Sequence, residues 1–482
     1  MSWETVIGLE VHVQLRTRTK MFCGCPTSFG DPPNTNVCPV CLGLPGALPV
    51  PNAEAVALAA RAALALGCTV HETSVFARKN YFYPDLPKGY QISQYDQPLS
   101  TRGRVAFDSP DRGRIQVGIT RLHVEEDAGK LLHDRFPGKT AVDLNRAGIP
   151  LAEIVSEPDL RSPAEARAYL TTLRQILVYA GVSDCSMEQG SLRVDANISI
   201  RPAGDPALGT KTEVKNMNSF ANVERALEAE RARQIALVEA GQKVEQVTLL
   251  FNAGTGQVKP TRSKEESHDY RYFPDPDLPP LVLTIPWIAE QRAALPELPD
   301  ERRSRLETAL GLSAYDARVL TSEPALAGYY EAVVAQGVDA KTAANWVMGD
   351  VMTQFNETGS FPVSAGRLGE LIGLVRDGTV SHQAAKRVFT EMASKPGEAA
   401  PEAAKRLGLV QVSDQSALSE WVTEVLAAHP AEVARFRGGE TKLMGFFVGQ
   451  VMKRSQGKAD PKGVQPVLTE KLREAGGVKG EE

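Results

Sequence analysis

The chain has 482 residues, 42% of them hydrophobic and 23% charged, with a formal net charge of −5. This is the composition of a soluble globular protein of about three domains with a sizeable core. It argues against a protein that coats nucleic acid by bulk charge, though it permits a local basic patch. The first residues, MSWETVIGLEVHV, carry no basic segment followed by an apolar core, and no run of about 18 apolar residues occurs, so neither a secretory signal nor a membrane span is expected. Six cysteines, four of them between Cys23 and Cys41, suggest a metal site in a reducing cytoplasm rather than a disulfide framework.

In chain order, the first element is IGLEVHVQL. Ile7, Leu9, Val11 and Val13 alternate with Gly8, Glu10, His12 and Gln14, which predicts a half-buried strand. Glu10 and His12 then share one side, roughly 7 Å apart by strand rise. Alone, the pair is either a surface accident or half of a metal site. Cys23 and Cys25 are followed by Cys38 and Cys41, two close pairs separated by a loop. That spacing lets four thiolates close a tetrahedron round zinc, a structural site that pins the loop from Gly30 to Pro39; four unrelated thiols are the alternative. Cys68 and Cys185 are expected to be buried as small hydrophobes.

A helix is predicted from Asn52 to Leu66, ended by Gly67, and a second from Ser162, with Pro163 at its first position and Glu165 completing a capping box, to Gly181. Between them, RKNYFYPDLPKGYQISQYD interleaves Tyr81, Phe82, Tyr83, Tyr90 and Tyr95 with Arg78, Lys79 and Lys88. Cations and rings together suit a phosphate with a stacked base, or a nucleic-acid terminus; a packed loop whose tyrosines cover the core is the alternative. QVGITRLHVEEDAGK places Arg121, His123 and Glu125 on one face, AGIPLAEIVSEPD sets Glu153 inside an apolar run, and SLRVDANISIR alternates with Asp195 on its polar face. Polar strand faces are usually just wet, but acids inside apolar runs need partners. Several oxygen ligands with one imidazole suit Mg²⁺ or Mn²⁺ better than zinc.

KTEVKNMNS puts Lys215 ahead of a third helix, from about Phe220 to Gly241, and TRSKEESHDYRYFPDPDLPP repeats the basic-aromatic pattern with Arg262. From about Leu295 the pattern is one of successive helices: 301–310, 326–336, 342–355, 365–375 and 383–392, with Ser313, Ser364 and Ser381 as N-caps. KPGEAAP reads as a break, and a last helical part follows. No glycine-rich phosphate loop, dinucleotide fingerprint, nucleophile elbow or kinase signature is present. Nucleotide chemistry here would have to use carboxylates, metal and basic residues.

WETVIGLEVHVQL, FCGCP…CPVCLGLPGALP, RKNYFYPDLPKGYQISQYD, GITRLHVEEDAGK, DLNRAGIPLAEIVSEPD, SLRVDANISI, EVKNMNS and TRSKEESHDYRYFPDPDLP occur in an order that resembles the B subunits of the tRNA-dependent amidotransferases acting on Glu-tRNA(Gln) and Asp-tRNA(Asn). The resemblance covers essentially the whole chain, since ANWVMGD and LMGFFVGQVMKRSQGKADPKGV resemble the same family's helical and YqeY-like tail domains. It implies an α+β fold: a mixed-sheet, cradle-like catalytic domain over residues 1–292, an all-α domain over 293–406 and a small helical YqeY-like tail over 407–482. It implies an ATP-dependent ligase that phosphorylates the side-chain carboxylate of a misacylated residue on tRNA and amidates it with ammonia. The ammonia comes from the amidase (A) subunit of a heterotrimer, braced by a small C subunit; no amidase constellation is visible in this chain. DNA and membranes are not expected as partners.

Magnesium is implied at the positions matching Glu10, His12 and Glu125, and the embedded acids extend that set to Glu153 and Asp195. By chemistry, Lys79, Lys88, Lys215 and Arg262 are the candidates for ATP phosphate contacts, with Lys79 also counted as catalytic. From Arg435 to Arg473, nine basic residues face three acids, a patch suited to tRNA phosphates. A non-catalytic tRNA-binding scaffold is the competing reading.

Overall fold

The computed structural model describes residues 2–261, 270–411, 415–455 and 458–474. It folds as two compact units, Met1–Arg302 and Arg303–Glu482.

The first unit is built on a nine-stranded mixed sheet. Its strands in chain order are β1 (Trp3–Gln14), β2 (Thr69–Val70), β3 (Ser100–Ser109), β4 (Gly113–Glu126), β5 (Pro150–Ser156), β6 (Leu192–Pro202), β7 (Thr212–Lys215), β8 (Thr248–Asn252) and β9 (Gln257–Pro260). Across the sheet they run β9-β8-β7-β6-β1-β5-β4-β3-β2, with β7 and β8 parallel and every other neighbour antiparallel. The opening strand thus lies in the middle. Ile7, Leu9, Val11 and Val13 are 0–1% exposed, and full burial of such a side chain stabilises by about 1.5–3 kcal/mol.

Three helices pack on the sheet: α1 (Ala53–Ala65), α2 (Pro163–Tyr179) and α3 (Phe220–Glu239). Each starts at a side-chain cap. Asn52 accepts from the amides of Glu54 and Ala55, Ser162 from that of Glu165, and Ser219 from that of Asn222. At α2 the box closes one residue early, because Glu165 reaches back to the amide of Arg161 at 2.7 Å.

Thr120 interrupts the alternation of β4. Arg121 pairs with Val155 and Ile119 with Ser156, so Thr120 is an extra residue against β5. On the other side it lies opposite Arg102, whose φ is +61°. Val117 and Ile119 before the bulge, and Leu122 and Val124 after it, are all buried in one core. The parity of inward residues therefore switches from odd to even at Thr120.

A three-stranded sheet, in the order Phe273–Pro274, Ala77–Asn80, Tyr90–Ser93, carries the aromatic-rich loop. Helical structure begins at Ile285, earlier than expected, because Thr284 caps a helix over Ile285–Ala293.

The second unit is helical, with one core among residues 306–404 and another among residues 418–472. The single helix expected over 342–355 is Ala340–Trp346 and Met352–Thr358 joined by a π turn, Val347–Val351. The turn there is wider than in a regular helix, and Val347 and Val351 are both buried. Within the expected break, the chain already re-enters a helix at Ala400. A helix over Pro430–Arg437 has an apolar stripe too short to show periodicity in the sequence. Among the described residues, no helix is long and apolar enough to cross a membrane.

Candidate active site

Alternation on β1 turns Glu10 and His12 away from the helices, and strand register decides what they meet. His12 is opposite Glu153 on β5 and Arg193 on β6; Glu153 is in turn opposite His123 on β4; Glu10 is opposite Asp195. Four central strands thereby supply one polar patch to the same face.

Within it, the carboxylates of Glu125 and Glu153 sit between two imidazoles. His12 Nε2 is 3.5 Å from Glu153 and 4.0 Å from Glu125, while His123 Nε2 is 3.3 and 3.7 Å from them. One donor atom each from His12, Glu125 and Glu153 lies within 4.8 Å of the others. Two carboxylates and one imidazole at that spacing fit a hard divalent cation. Glu10, expected in this group, stands at its edge and accepts from Asn197 Nδ2 at 3.1 Å. Asp195 lies further along and takes Lys215 Nζ at 2.6 Å.

The charges explain the arrangement. Burial alone would strip the proton from His123, but Glu153 and Glu125 push its pKa up to about 9, so it stays cationic. Burial raises the Glu153 carboxyl, yet His123 and His12 together hold it well below the usual range. Burial, and then repulsion from Glu153, Asp195 and Glu213, raises Glu10. His12 is raised too, its burial outweighed by Glu153 and Glu125. Sequence reasoning gives His123 no role beyond its place on the polar face and misses its position between the two acids. The available signal is its parity with Glu125.

Lys79 projects toward the acids from the small sheet. Burial works against its charge, but Glu125, Tyr272 and Glu153 hold its pKa above the ordinary value, and its ammonium stands 4.8 Å over the Tyr270 ring. Lys215 pairs with Asp195 and, at 2.9 Å, with Glu213; these acids overcome burial and raise its pKa. Lys88 is in a different place. It is buried against Glu126, in an ion pair on the side of the cysteine loop, with Phe22 and Tyr90 around it. Arg262 lies outside the described residues. Beside Glu10, an open cavity of about 320 Å³ is lined by Val6, Gly8, Pro158, Asn197, Leu208 and Lys211 among others.

Next to the acid patch, Asp127 is held by both guanidinium nitrogens of Arg193 (2.8 and 2.9 Å) and by Gln14 Nε2 at 2.8 Å. This clamp ties the end of β4 to β1 and β6.

The four cysteines converge. Sγ atoms of Cys23, Cys25, Cys38 and Cys41 all lie within 4.8 Å of one another, and the Cys38 amide donates to Cys41 Sγ at 3.2 Å. The Cys23 thiol hydrogen-bonds Cys41 and, against the effect of burial and with help from Lys20, pulls Cys41 down to about 4. Lys20 is 1% exposed, with its ammonium 3.6 Å from Cys41 Sγ and 2.6 Å from Asn36 O. A thiolate-ready four-sulfur set with a buried cation beside it fits structural zinc. The following loop is stitched to residues 142–145, through Asn34 to Val142 O at 3.0 Å and Asn145 to the amide of Asn36 at 2.9 Å.

The profile of the GatB/GatE catalytic domain matches residues 5–289, and that of the GatB domain matches residues 328–472. A protein of Geobacter sulfurreducens, named as the B subunit of an aspartyl/glutamyl-tRNA(Asn/Gln) amidotransferase, is 54% identical over 98% of this chain and 100% of its own length. Proteins of the same name from Moorella thermoacetica, also 54% identical, and from Alkalilimnicola ehrlichii, 52% identical, each align with 98% of this chain and 100% of their own lengths. By motif, profile and full-length similarity, the chain belongs to the GatB/GatE family, as a B subunit of the aspartyl/glutamyl-tRNA amidotransferase type.

Proposed function

We propose that this chain is the component that activates and amidates the side-chain carboxylate of glutamate or aspartate carried on tRNA(Gln) or tRNA(Asn), using ATP in the cytoplasm, within a complex whose amidase (A) subunit supplies ammonia and whose small C subunit braces the pair. The observation that carries the reading is the cluster of half-buried His12 with buried Glu125 and Glu153, with Lys79 facing it, in a chain similar from end to end to amidotransferase B subunits.

The chemistry asks for this kind of site. A carboxylate is a poor acyl donor because oxide is its leaving group. Attack of a carboxylate oxygen on the terminal phosphorus of ATP releases ADP and gives an acyl phosphate; attack of ammonia on the acyl carbon then releases phosphate and leaves the amide. Glu125, Glu153 and His12 would hold a divalent cation with Glu10 at its edge, and the cation, when bound, neutralises charge on the transferring phosphoryl group. Lys79 orients the substrate carboxylate and the phosphate from the opposite wall. His123, kept cationic, holds Glu125 and Glu153 at their spacing. Lys211 lines the cavity beside Glu10 and suits an ATP phosphate, whereas Lys215, paired with Asp195 and Glu213, and Lys88, paired with Glu126, would each exchange an acid for a phosphate.

Residues 1–292 would carry this chemistry, with zinc fixing the loop after β1, residues 293–406 would form a helical domain, and the tail over 407–482 would engage the tRNA body. Several basic residues of the tail are already engaged within it, as Arg454 is with Glu424 (2.7 Å) and Arg435 with Glu440 (2.7 Å). The test is the reconstituted complex supplied with tRNA charged with glutamate or aspartate. Wild type is expected to convert both in an ATP-dependent way, and Glu125→Ala to lose conversion while the partner's glutaminase persists. Full conversion by the variant would favour the scaffold reading instead.

A further inference from the structure

Ser93 links the acid group to an aromatic wall. Its hydroxyl donates to Glu125 Oε2 at 3.0 Å, and the chain then passes through Gln94 to Tyr95. Gln94 is locked in place: its Oε1 accepts from the amides of Leu99 (3.0 Å) and Val124 (3.1 Å), and its Nε2 donates to Ser74 Oγ at 3.1 Å. Tyr95 leaves this fixed point 47% exposed, so the core does not need its ring. The ring instead lies flat on Tyr272, with centroids 4.2 Å apart and planes 5° apart. Tyr272 meets Tyr270 edge-on at 6.1 Å, and Tyr270 carries the Lys79 ammonium.

We infer that the Tyr95–Tyr272 stack seats the 3′-terminal nucleobase of the aminoacylated RNA, which stacks on tyrosine while the acyl side chain reaches Glu125 and Lys79. The inference rests on the amidation reading above. Three observations support it. Tyr95 is stacked on Tyr272 and still 47% exposed, which leaves tyrosine surface of the kind that unpaired bases stack on. Ser93, which holds Glu125, lies only two residues from Tyr95, and Lys79, charged beside Glu125 and Glu153, sits over Tyr270 of the same ring cluster, so the wall borders the acids. Lys211, a basic group suited to a phosphate, lines the cavity beside Glu10 instead, which leaves the aromatic end for a ligand whose reacting group is not a phosphate.

The experiment uses the complete complex with misacylated tRNA bearing 2-aminopurine in place of its terminal adenine. Wild type is expected to quench the fluorophore on binding. Tyr95→Ala is expected to abolish the quench and raise KM for the tRNA about tenfold, the loss of one base stack, with KM for ATP unchanged. Tyr95→Phe, which keeps the ring, is expected to restore both. A Tyr95→Ala complex that still quenches with unaltered KM for tRNA overturns the assignment, and so does a rise in KM for ATP alone, which would put the adenine of ATP there. A wild-type complex that quenches without amidating would sink the amidation reading while leaving the stacking assignment standing.

Discussion

His12 on β1 and Glu153 on β5 are register partners, with Nε2 3.5 Å from the carboxylate across the centre of the sheet. Strand pairing fixes their Cα positions, so imidazole and carboxylate start from the same place on the polar face.

Replacing Glu153 by Gln keeps the volume and removes one anionic ligand. ATP-dependent amidation is expected to fall by at least about 10²-fold, with Mn²⁺ affinity, measured by electron paramagnetic resonance, weakened in parallel. Undiminished Mn²⁺ binding would remove Glu153 from the site.

His123→Ala leaves the two buried carboxylates of Glu125 and Glu153 without the imidazolium that lies between them. Loss of a buried partner of this kind costs about 3–5 kcal/mol, so the melting temperature should drop markedly without divalent cation, and part of the drop should be recovered when Mg²⁺ is added. An unchanged melting temperature would show that His123 is not the charged group its surroundings imply.

Plasma mass spectrometry of gently purified protein is expected to find one zinc per chain, lost in Cys38→Ser. Limited proteolysis should then cut between Gly30 and Pro39, where metal-pinned loop becomes free chain. Wild-type protein without zinc and with the loop protected would refute the metal assignment.

Glu165 is buried and takes Arg112 at 2.5 and 2.6 Å and Ser109 Oγ at 2.8 Å. Burial would raise its carboxyl, but Arg112 and the other donors lower it. With the folded value below the unfolded one of about 4.3, its contribution is complete above that pH and is lost as pH falls through the folded pKa. Denaturant unfolding of wild type and Glu165→Gln should therefore differ at pH 6 and converge as the pH is taken well below 4. A gap that stays constant with pH would contradict the ion pair.

Removing residues 407–482 should weaken tRNA binding, with the deficit shrinking as salt rises. Equal affinity at low salt would exclude the tail from the RNA contact.

Local pattern carried much of this molecule. The strand around Glu10 and His12, the cysteine spacing and the caps at Asn52, Ser162 and Ser219 depend on neighbours within a few residues, and such neighbours can be read directly. The grouping of the acids depends on strand pairings between residues 30 to 185 positions apart, as between His123 and Glu153 and between Glu10 and Asp195. Nothing near Glu153 announces that it faces His12 while Glu10 falls to the edge. Lys88 shows the same limit: its loop suggests a phosphate contact, and nothing in that loop announces its ion pair with Glu126 at the end of another strand. The wide turn at Val347 to Val351 is hidden because its apolar residues still fit an ordinary helix.

Thr120 has a consequence larger than its size. It is the one extra residue that lets Val117 and Ile119 face the helices and still delivers His123 and Glu125 to the opposite side. Deleting it would restore a regular strand and invert everything after it, driving an imidazole and a carboxylate into hydrocarbon or, if the far half held, expelling two aliphatic side chains into water. An irregularity in the ladder is thus what allows one strand to serve the oily face of the sheet and the ionic one in turn.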